Sequence, residues 1–335
     1  MGRMTWHEIP SSLRARIEDA LGAPVVQTES QASGWSPGSA DRVVTTDRRR
    51  AFVKALARSR NGDGIDLHRR EARVVGAIPP GVRSPGLVAV FDEVHDGDEW
   101  VALVLDDVDG HHPGADRDGR DTTAVLDALA TLPRATGVLA SLPRMTDELG
   151  DEFGAWDRML ASGLPSVVPS AVASAAERLA DAARGAVALV DGDHLVHADC
   201  RADNLLVDRE RRVWIVDWPW AGVGARWLDP LTYLLDVLVR GEDDDVDHHL
   251  LTHPVFAGVD AAAVDAVLAA LAGLFLEKAA RPAPPNMPTI RGFQRREGVA
   301  ATEWVLRRWA QHDGAGAEGD DAPRVGAPRG VPSTP

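Results

Sequence analysis

Cysteine is almost missing from this chain of 335 residues: Cys200 stands alone, so neither an intrachain disulfide nor a cysteine-based metal cluster can form. Lysine is nearly as scarce, with Lys54 and Lys278 set against 34 arginines. A long apolar run is missing too, because residues 261–276 are too few for a membrane span and carry Asp265 in their interior. The residues given do not open on a basic stretch followed by an apolar one. Met1-Gly2-Arg3-Met4-Thr5-Trp6 also lacks the sixth-position Ser or Thr of a myristoylation signal. No internal repeat is visible. The expectation is a cytoplasmic enzyme without a membrane partner, long enough to bury a sizeable core and to divide into two lobes.

Charge is unevenly placed. Residues 1–105 hold 14 acids and 14 basic residues, whereas residues 106–157 hold 12 acids against 4 arginines, a net of −8 out of the chain's −15. Such a face repels a nucleic acid or an anionic membrane and attracts a cationic small molecule. The alternative is that these acids only keep the surface soluble. The run Glu242-Asp243-Asp244-Asp245-Val246-Asp247-His248-His249 is read in the same way, as a solvated acid loop rather than a metal patch.

In chain order, residues 5–22 suggest a helix capped by Ser11 or Ser12, with Leu13, Ile17 and Leu21 on one face and Gly22 at its end. The stretch Gln31-Ala32-Ser33-Gly34-Trp35-Ser36-Pro37-Gly38 is a Gly/Ser turn. It matches neither Walker A nor Gly-x-Gly-x-x-Gly, which argues against a P-loop or a Rossmann site. Residues 43–46 and 51–56 form a hairpin, and its second strand carries Lys54. A lysine here is not explained by any general use of lysine in this chain. It is a compact point charge on a flexible stem, unlike the planar fork of arginine. A helix over 65–78 carries Glu71 and stops at Pro79-Pro80-Gly81. Strands over 87–91 and 100–105 follow, then helices over 122–142, 151–161 and 171–184. Strands first and helices afterwards make an α+β pattern rather than a doubly wound sheet. Helices over 261–280 and 289–311 come last, and residues 313–335 read as a disordered tail.

The stretch with chemistry in it is Leu195 to Asp217. Short apolar strands end at His197 and Asp199, open after Asn204 and stop at Asp217, with Arg209-Glu210-Arg211-Arg212 turning the last hairpin. An Asp, an Asn and a second Asp gathered in this way suit a hard cation with oxygen ligands and a base beside it. The spacing His197-x-Asp199-x-x-x-x-Asn204, followed by Asp217, resembles the catalytic and metal-binding segments of the aminoglycoside phosphotransferase family, which is similar to the protein kinases in fold.

The resemblance implies a bilobal protein-kinase-like fold. Residues 1–106 are expected as a mostly antiparallel-sheet nucleotide lobe and 107–312 as a mainly helical catalytic and substrate lobe. It also implies ATP and Mg2+ as cofactors. Asp199 would receive the proton of a substrate hydroxyl, and Arg201, in place of a catalytic-loop lysine, would stabilise the transferred phosphoryl group. Asn204 and Asp217 would hold the metal. Lys54, oriented by Glu71, would grip the phosphates, under a loop that includes Ser36. His197 would buttress the loop, and Asp229 would either cap a helix or hold the catalytic loop through backbone N–H groups. The chain departs from protein kinases after Asp217, where Trp218-Pro219-Trp220-Ala221-Gly222 stands and no Ala-Pro-Glu follows. That favours a small acceptor over a protein. The expected activity is phosphorylation of a hydroxyl on an aminoglycoside-like or other antibiotic. The alternatives are a metabolic kinase of the choline, homoserine or methylthioribose type, or a nucleotide-binding protein without catalysis. The oligomeric state leaves no trace in the sequence.

Overall fold

Five strands open the fold. β1 (Val25–Ser30), β2 (Ser39–Thr45), β3 (Arg50–Ala57), β4 (Leu87–His95) and β5 (Asp98–Asp106) form one antiparallel sheet in the order β1-β2-β3-β5-β4. This computed structural model describes residues 3–31, 37–114, 120–242, 245–284 and 287–318. Alternation on β3 decides which residues meet the cleft, since successive side chains point to opposite faces. Ala51, Val53, Ala55 and Ala57 pack with Leu13, Ile17 and Leu21 of α1 (Ser11–Leu21). That leaves Phe52, Lys54 and Leu56 on the other face. There α2 (Gly62–Val75) buries Ile65, Val74 and Val75 against Val101, Leu103 and Leu105. Lys54 lies mid-strand, paired with Ala40 on one side and Leu103 on the other, so its backbone is fixed from both.

Local signals explain most boundaries. Asn61 caps α2 by accepting the Gly64 N–H at 3.1 Å. α1 ends at Gly22, whose φ of 86° suits glycine. Its start differs from the serine cap expected: Pro10 occupies the capping position and its carbonyl accepts from Arg14 N–H at 2.9 Å. The helix expected over 122–142 spans only Arg120–Ala130, because Pro133 turns the preceding residues away from helical geometry. The helix expected over 171–184 is divided into Ser170–Ala173 and Ala176–Ala183. The last helix, Ile290–Glu318, runs past the point where a tail was expected, and residues 319–335 lie outside the described residues.

Between the sheet and the helices the chain bends at Asp106–Gly110. The Asp107 carboxylate is held by Arg50 at 2.7 Å and Arg42 at 3.3 Å, which ties this hinge to the neighbouring strands. A Cβ on Gly110 would come within 2.9 Å of the Val207 carbonyl oxygen. Glycine therefore permits His111 to exchange backbone hydrogen bonds with Val207 at 3.0 and 2.8 Å. Four short strands follow: β6 (His194–Val196) pairs with β9 (Gly222–Gly224), and β7 (Leu205–Val207) with β8 (Val213–Ile215). The expected hairpin around Arg209–Arg212 is β7–β8, tightened by Asp208, which accepts from the N–H groups of Glu210 and Arg212.

The helical lobe is built around Ala261–Ala279, which is buried on nearly every side and accordingly apolar all round. Its Asp265 accepts a 2.5 Å hydrogen bond from Arg308. No helix among the described residues is long and apolar enough to cross a membrane.

The acid-rich segment 106–157 is not one bare face. Asp109 pairs with Arg209, Asp121 with Arg211, Glu152 with Lys278 and Asp157 with Arg184, so cations from distant parts of the sequence answer many of these charges. A count of charges by segment could not see those partners. In the later acid run, Asp243 and Asp244 lie outside the described residues. Asp245 caps the helix Val246–Thr252, and Asp247 accepts from Trp304 and Arg308, so these two acids are structural.

Candidate active site

The loop that carries Asp199 begins where β6 ends. His197 is fully buried, its Nε2 donates to the Val216 carbonyl at 2.9 Å, and its ring meets Trp218 edge-on at 4.8 Å. Ala198 follows with a left-handed φ of 61°, a conformation that costs a residue with a Cβ roughly 1–2 kcal/mol. Asp229, in the first turn of the helix Leu228–Arg240, holds that bend. Its carboxylate accepts the N–H groups of His197 at 2.6 Å and Ala198 at 2.9 Å. Asp236, two turns on, accepts from Ala202 N–H at 2.9 Å and secures the far end of the loop. Of the two roles open to Asp229, the loop anchor is the one realised.

Between these anchors Asp199 keeps its side chain about 25% exposed. Asn204 Nδ2 donates to its carbonyl at 2.8 Å and to Oδ2 at 3.0 Å, which fixes the carboxylate and leaves the Asn204 Oδ1 without a hydrogen-bond donor among the described residues. Arg201 binds the other Asp199 oxygen and reaches Asp203 at 3.1 and 3.2 Å. Burial pushes the Asp199 carboxyl up to about 6, against the pull of Arg201 and His197 and with the help of Asp217 and Asp203. A group balanced there is ionised at neutral pH and still basic enough to take a proton.

Asp217 ends the run after β8, with a left-handed φ of 66° that Asp tolerates better than most residues. It meets Lys54 from the other lobe: Nζ lies 2.7 Å from its carboxylate and 2.8 and 3.0 Å from the two oxygens of Glu71. Burial works against all three charges. Asp217 and Glu71 together outweigh it at Lys54 and hold the ammonium above its ordinary value. Lys54 outweighs it at Asp217, which is lowered, whereas burial prevails at Glu71, which is raised.

Lys54, Glu71, Asn204 and Asp217 line one cleft, with Phe52, Val75, Leu105 and Leu206 as apolar walls, and Asn204 joins it to Asp199. Of the residues singled out in the sequence, the structure brings together Lys54, Glu71, Asp199, Arg201, Asn204 and Asp217. Ser36 lies outside the described residues. Cys200 is buried, and desolvation together with nearby carboxylates raises its thiol far above the ordinary value, so it is no nucleophile. Trp218, in the place of a kinase Phe, is fully buried and donates to Ser84 and to the Ile215 carbonyl, both at 3.0 Å.

Asp236 was missed by the sequence reading, and so were two neighbours of the site on the last helix. Phe293 and Glu297 lie on the last helix, and Phe293 places its ring 5.4 Å from the Arg201 guanidinium. Burial pushes Glu297 up to about 8 despite Arg201, with Asp199, Asp236 and Asp203 adding to the effect. Nothing in the local sequence of that helix marks these two, since only packing brings it to Arg201.

A sequence model of the phosphotransferase enzyme family matches residues 32–274. No curated protein matches the chain. Among solved structures, a thermostable mutant of aminoglycoside phosphotransferase APH(4)-Ia in ternary complex with ADP and hygromycin B superposes with a TM-score of 0.55 at 14% identity, covering 88% of this chain and 98% of that one. Spectinomycin phosphotransferase APH(9)-Ia, in complex with ADP and spectinomycin, gives 0.53 at 13% identity over 88% and 98%. Choline kinase LicA from Streptococcus pneumoniae gives 0.50 at 12% identity over 90% and 100%. At such identities the likeness is one of fold, and it bears out the α+β, kinase-like architecture expected from the sequence.

Proposed function

Because the chain belongs to the phosphotransferase enzyme family, we propose that it transfers the γ-phosphoryl group of ATP to a hydroxyl of a small molecule, with magnesium as cofactor. The observation that carries this reading is the meeting of Lys54 and Asp217 from different lobes at 2.7 Å, in a cleft also lined by Asn204, the residue that holds the Asp199 carboxylate. Asp199 orients the acceptor hydroxyl and receives its proton. The freed oxygen bonds to the γ-phosphorus as the bond to the β-phosphate oxygen breaks, and ADP departs. Arg201, held beside Asp199, supplies positive charge to the transferred group. The Oδ1 of Asn204 and the carboxylate of Asp217 would hold magnesium. Two hard oxygens suit an ion that completes its shell with phosphate oxygens and water. When bound, it neutralises charge on the β- and γ-phosphates. The use of ATP fits a cytoplasmic enzyme.

Lys54 gives this reading a direct check. Lys54→Ala should raise the KM for ATP about 10- to 100-fold, the scale of a lost charge-assisted hydrogen bond, with little effect on acceptor binding. Lys54→Arg should recover only part of that loss, because a planar fork does not replace a point charge held by two carboxylates. Wild-type kinetics in Lys54→Arg would overturn the role.

For the acceptor we propose a cationic antibiotic of the aminoglycoside type. Its support is the likeness in fold to structures that hold hygromycin B and spectinomycin, together with Asp199 and the neighbouring Asp203, not the acid count of residues 106–157. The test is a panel of aminoglycosides, spectinomycin and choline incubated with enzyme, ATP and magnesium and read by mass spectrometry for the gain of one phosphoryl group. Raising the salt concentration should then increase the KM of the acceptor found while leaving that of ATP nearly level, because screening weakens exposed attraction. A salt-insensitive acceptor KM would remove the cationic assignment and leave phosphoryl transfer standing. ATP bound without transfer to any acceptor would favour a non-catalytic nucleotide-binding protein.

A further inference from the structure

One basic residue of the cleft has no counterpart in the motifs. Arg3 lines the same space as Lys54, Glu71 and Asp217. It arrives there on a segment with firm anchors: Met4, Trp6 and Ile9 are only 1–3% exposed and join the core between α1 and the sheet. Arg3 Nη1 donates to the Gln31 carbonyl at 2.8 Å, and the Met4 N–H donates to the Pro37 carbonyl at 3.2 Å. Gln31 and Pro37 are the described residues on either side of 32–36, within the stretch read as a phosphate-covering turn. The segment that carries Arg3 is thus bonded to both sides of that turn.

The balance of charge in the cleft gives Arg3 a task. Of the arginines and lysines that line it, Arg42 is committed to the hinge, donating to the Val108 carbonyl at 3.2 Å and lying 3.3 Å from Asp107. Lys54 is shared between Glu71 and Asp217. Magnesium would meet part of the charge of the triphosphate and Lys54 another part, which leaves a place for a second protein cation. Arg3 lies in the field of Asp217 and of Asp41, a fully buried carboxylate whose Oδ1 takes the Ser30 hydroxyl and whose Oδ2 has no hydrogen-bond partner among the described residues. Burial lowers the guanidinium of Arg3 from its ordinary value even against both carboxylates, so its placement costs free energy that an anionic ligand would offset. A guanidinium also offers paired N–H groups that match two oxygens of a phosphate, which an ammonium does not.

We propose that Arg3 is a phosphate-binding residue of the nucleotide site, contacting the terminal phosphates of ATP beside Lys54. The proposal rests on the phosphotransfer reading for its ligand and adds a residue from outside the motifs. It makes the phosphate grip two-sided, with Lys54 brought by the central strand and Arg3 by the segment ahead of α1.

The test is calorimetric titration of the full chain with ATP, ADP and adenosine in the presence of magnesium, for wild type, Arg3→Ala and Arg3→Lys. Arg3→Ala should weaken ATP roughly tenfold or more, ADP by less, and adenosine not at all. Arg3→Lys should restore part of the ATP affinity. If Arg3 only braced the fold, ATP and adenosine would weaken together, and that parallel loss would overturn the proposal. Unchanged ATP affinity in Arg3→Ala would overturn it as well, with phosphoryl transfer untouched. A wild-type chain that bound none of the three compounds would remove the phosphotransfer reading along with it.

Discussion

Asp199→Asn is expected to lower kcat by roughly 10²–10⁴, the usual scale of general acid–base catalysis, with little change in acceptor affinity. The amide keeps the shape of the side chain and one oxygen for Asn204 Nδ2, but it cannot take a proton, and one of its two ends no longer suits Arg201. Wild-type kcat/KM should fall on the acid side of about pH 6, where Asp199 becomes protonated, and this limb should be absent from the residual activity of the variant. Stability should move the other way. A carboxyl whose pKa is raised on folding favours the native state below its unfolded value near 4, and that favour is lost as pH rises through about 6. Asp199→Asn should therefore melt at a higher temperature than wild type at pH 8, and the gap should narrow towards pH 5. Unchanged kcat in the variant would dismiss Asp199 as the proton acceptor and the proposed reaction with it.

Asp217→Asn should be more damaging still, with turnover lowered roughly 10³-fold or more, because it weakens a metal ligand and removes a partner of Lys54 together. Asn is the informative replacement: it accepts the left-handed backbone at this position, so a folded variant is expected by circular dichroism. The loss should persist at saturating ATP, since phosphate charge is left unshielded in the transition state. Near-normal turnover from a folded Asp217→Asn protein would show that this carboxylate holds no essential metal.

The catalytic hairpin was readable because its signals are local. Apolar pairs set the strands, charged residues set the turn, and Asn204 and Asp217 at the strand ends line the cleft. Lys54 stood out for a compositional reason, as one of two lysines in the chain, and Glu71 followed from its position on the next helix. Asp236, Phe293 and Glu297 were not legible. Each reaches the site from a helix whose own sequence explains it as an ordinary half-buried surface, and only the packing against Ala202 and Arg201 gives it a task. Arg3 was hidden for a similar reason, since the residues after it read as the start of a helix while its hydrogen bond goes to Gln31 and its charge lies in the field of Asp217. The acid-rich segment misled in the opposite direction: a sum over neighbours in sequence assumes partners in sequence, and its arginine partners include Arg209 and Arg211, about a hundred residues on.

The left-handed backbone at Ala198 and Asp217 also governs how this motif can drift. At position 198 the side chain has no chemistry to perform. The choice of letter is restricted by φ alone, so glycine and asparagine are open to it while valine, isoleucine and threonine are closed. Position 217 passes through two filters at once, one set by the turn of the chain and one by the charge the site needs. Residues that relax the turn, such as glycine, fail the second filter, and glutamate, which keeps the charge, fits the first poorly. Two residues held in nearly the same backbone conformation thus differ in mutational freedom: one is a hinge point where variation is cheap within a short alphabet, the other a position with a single workable spelling.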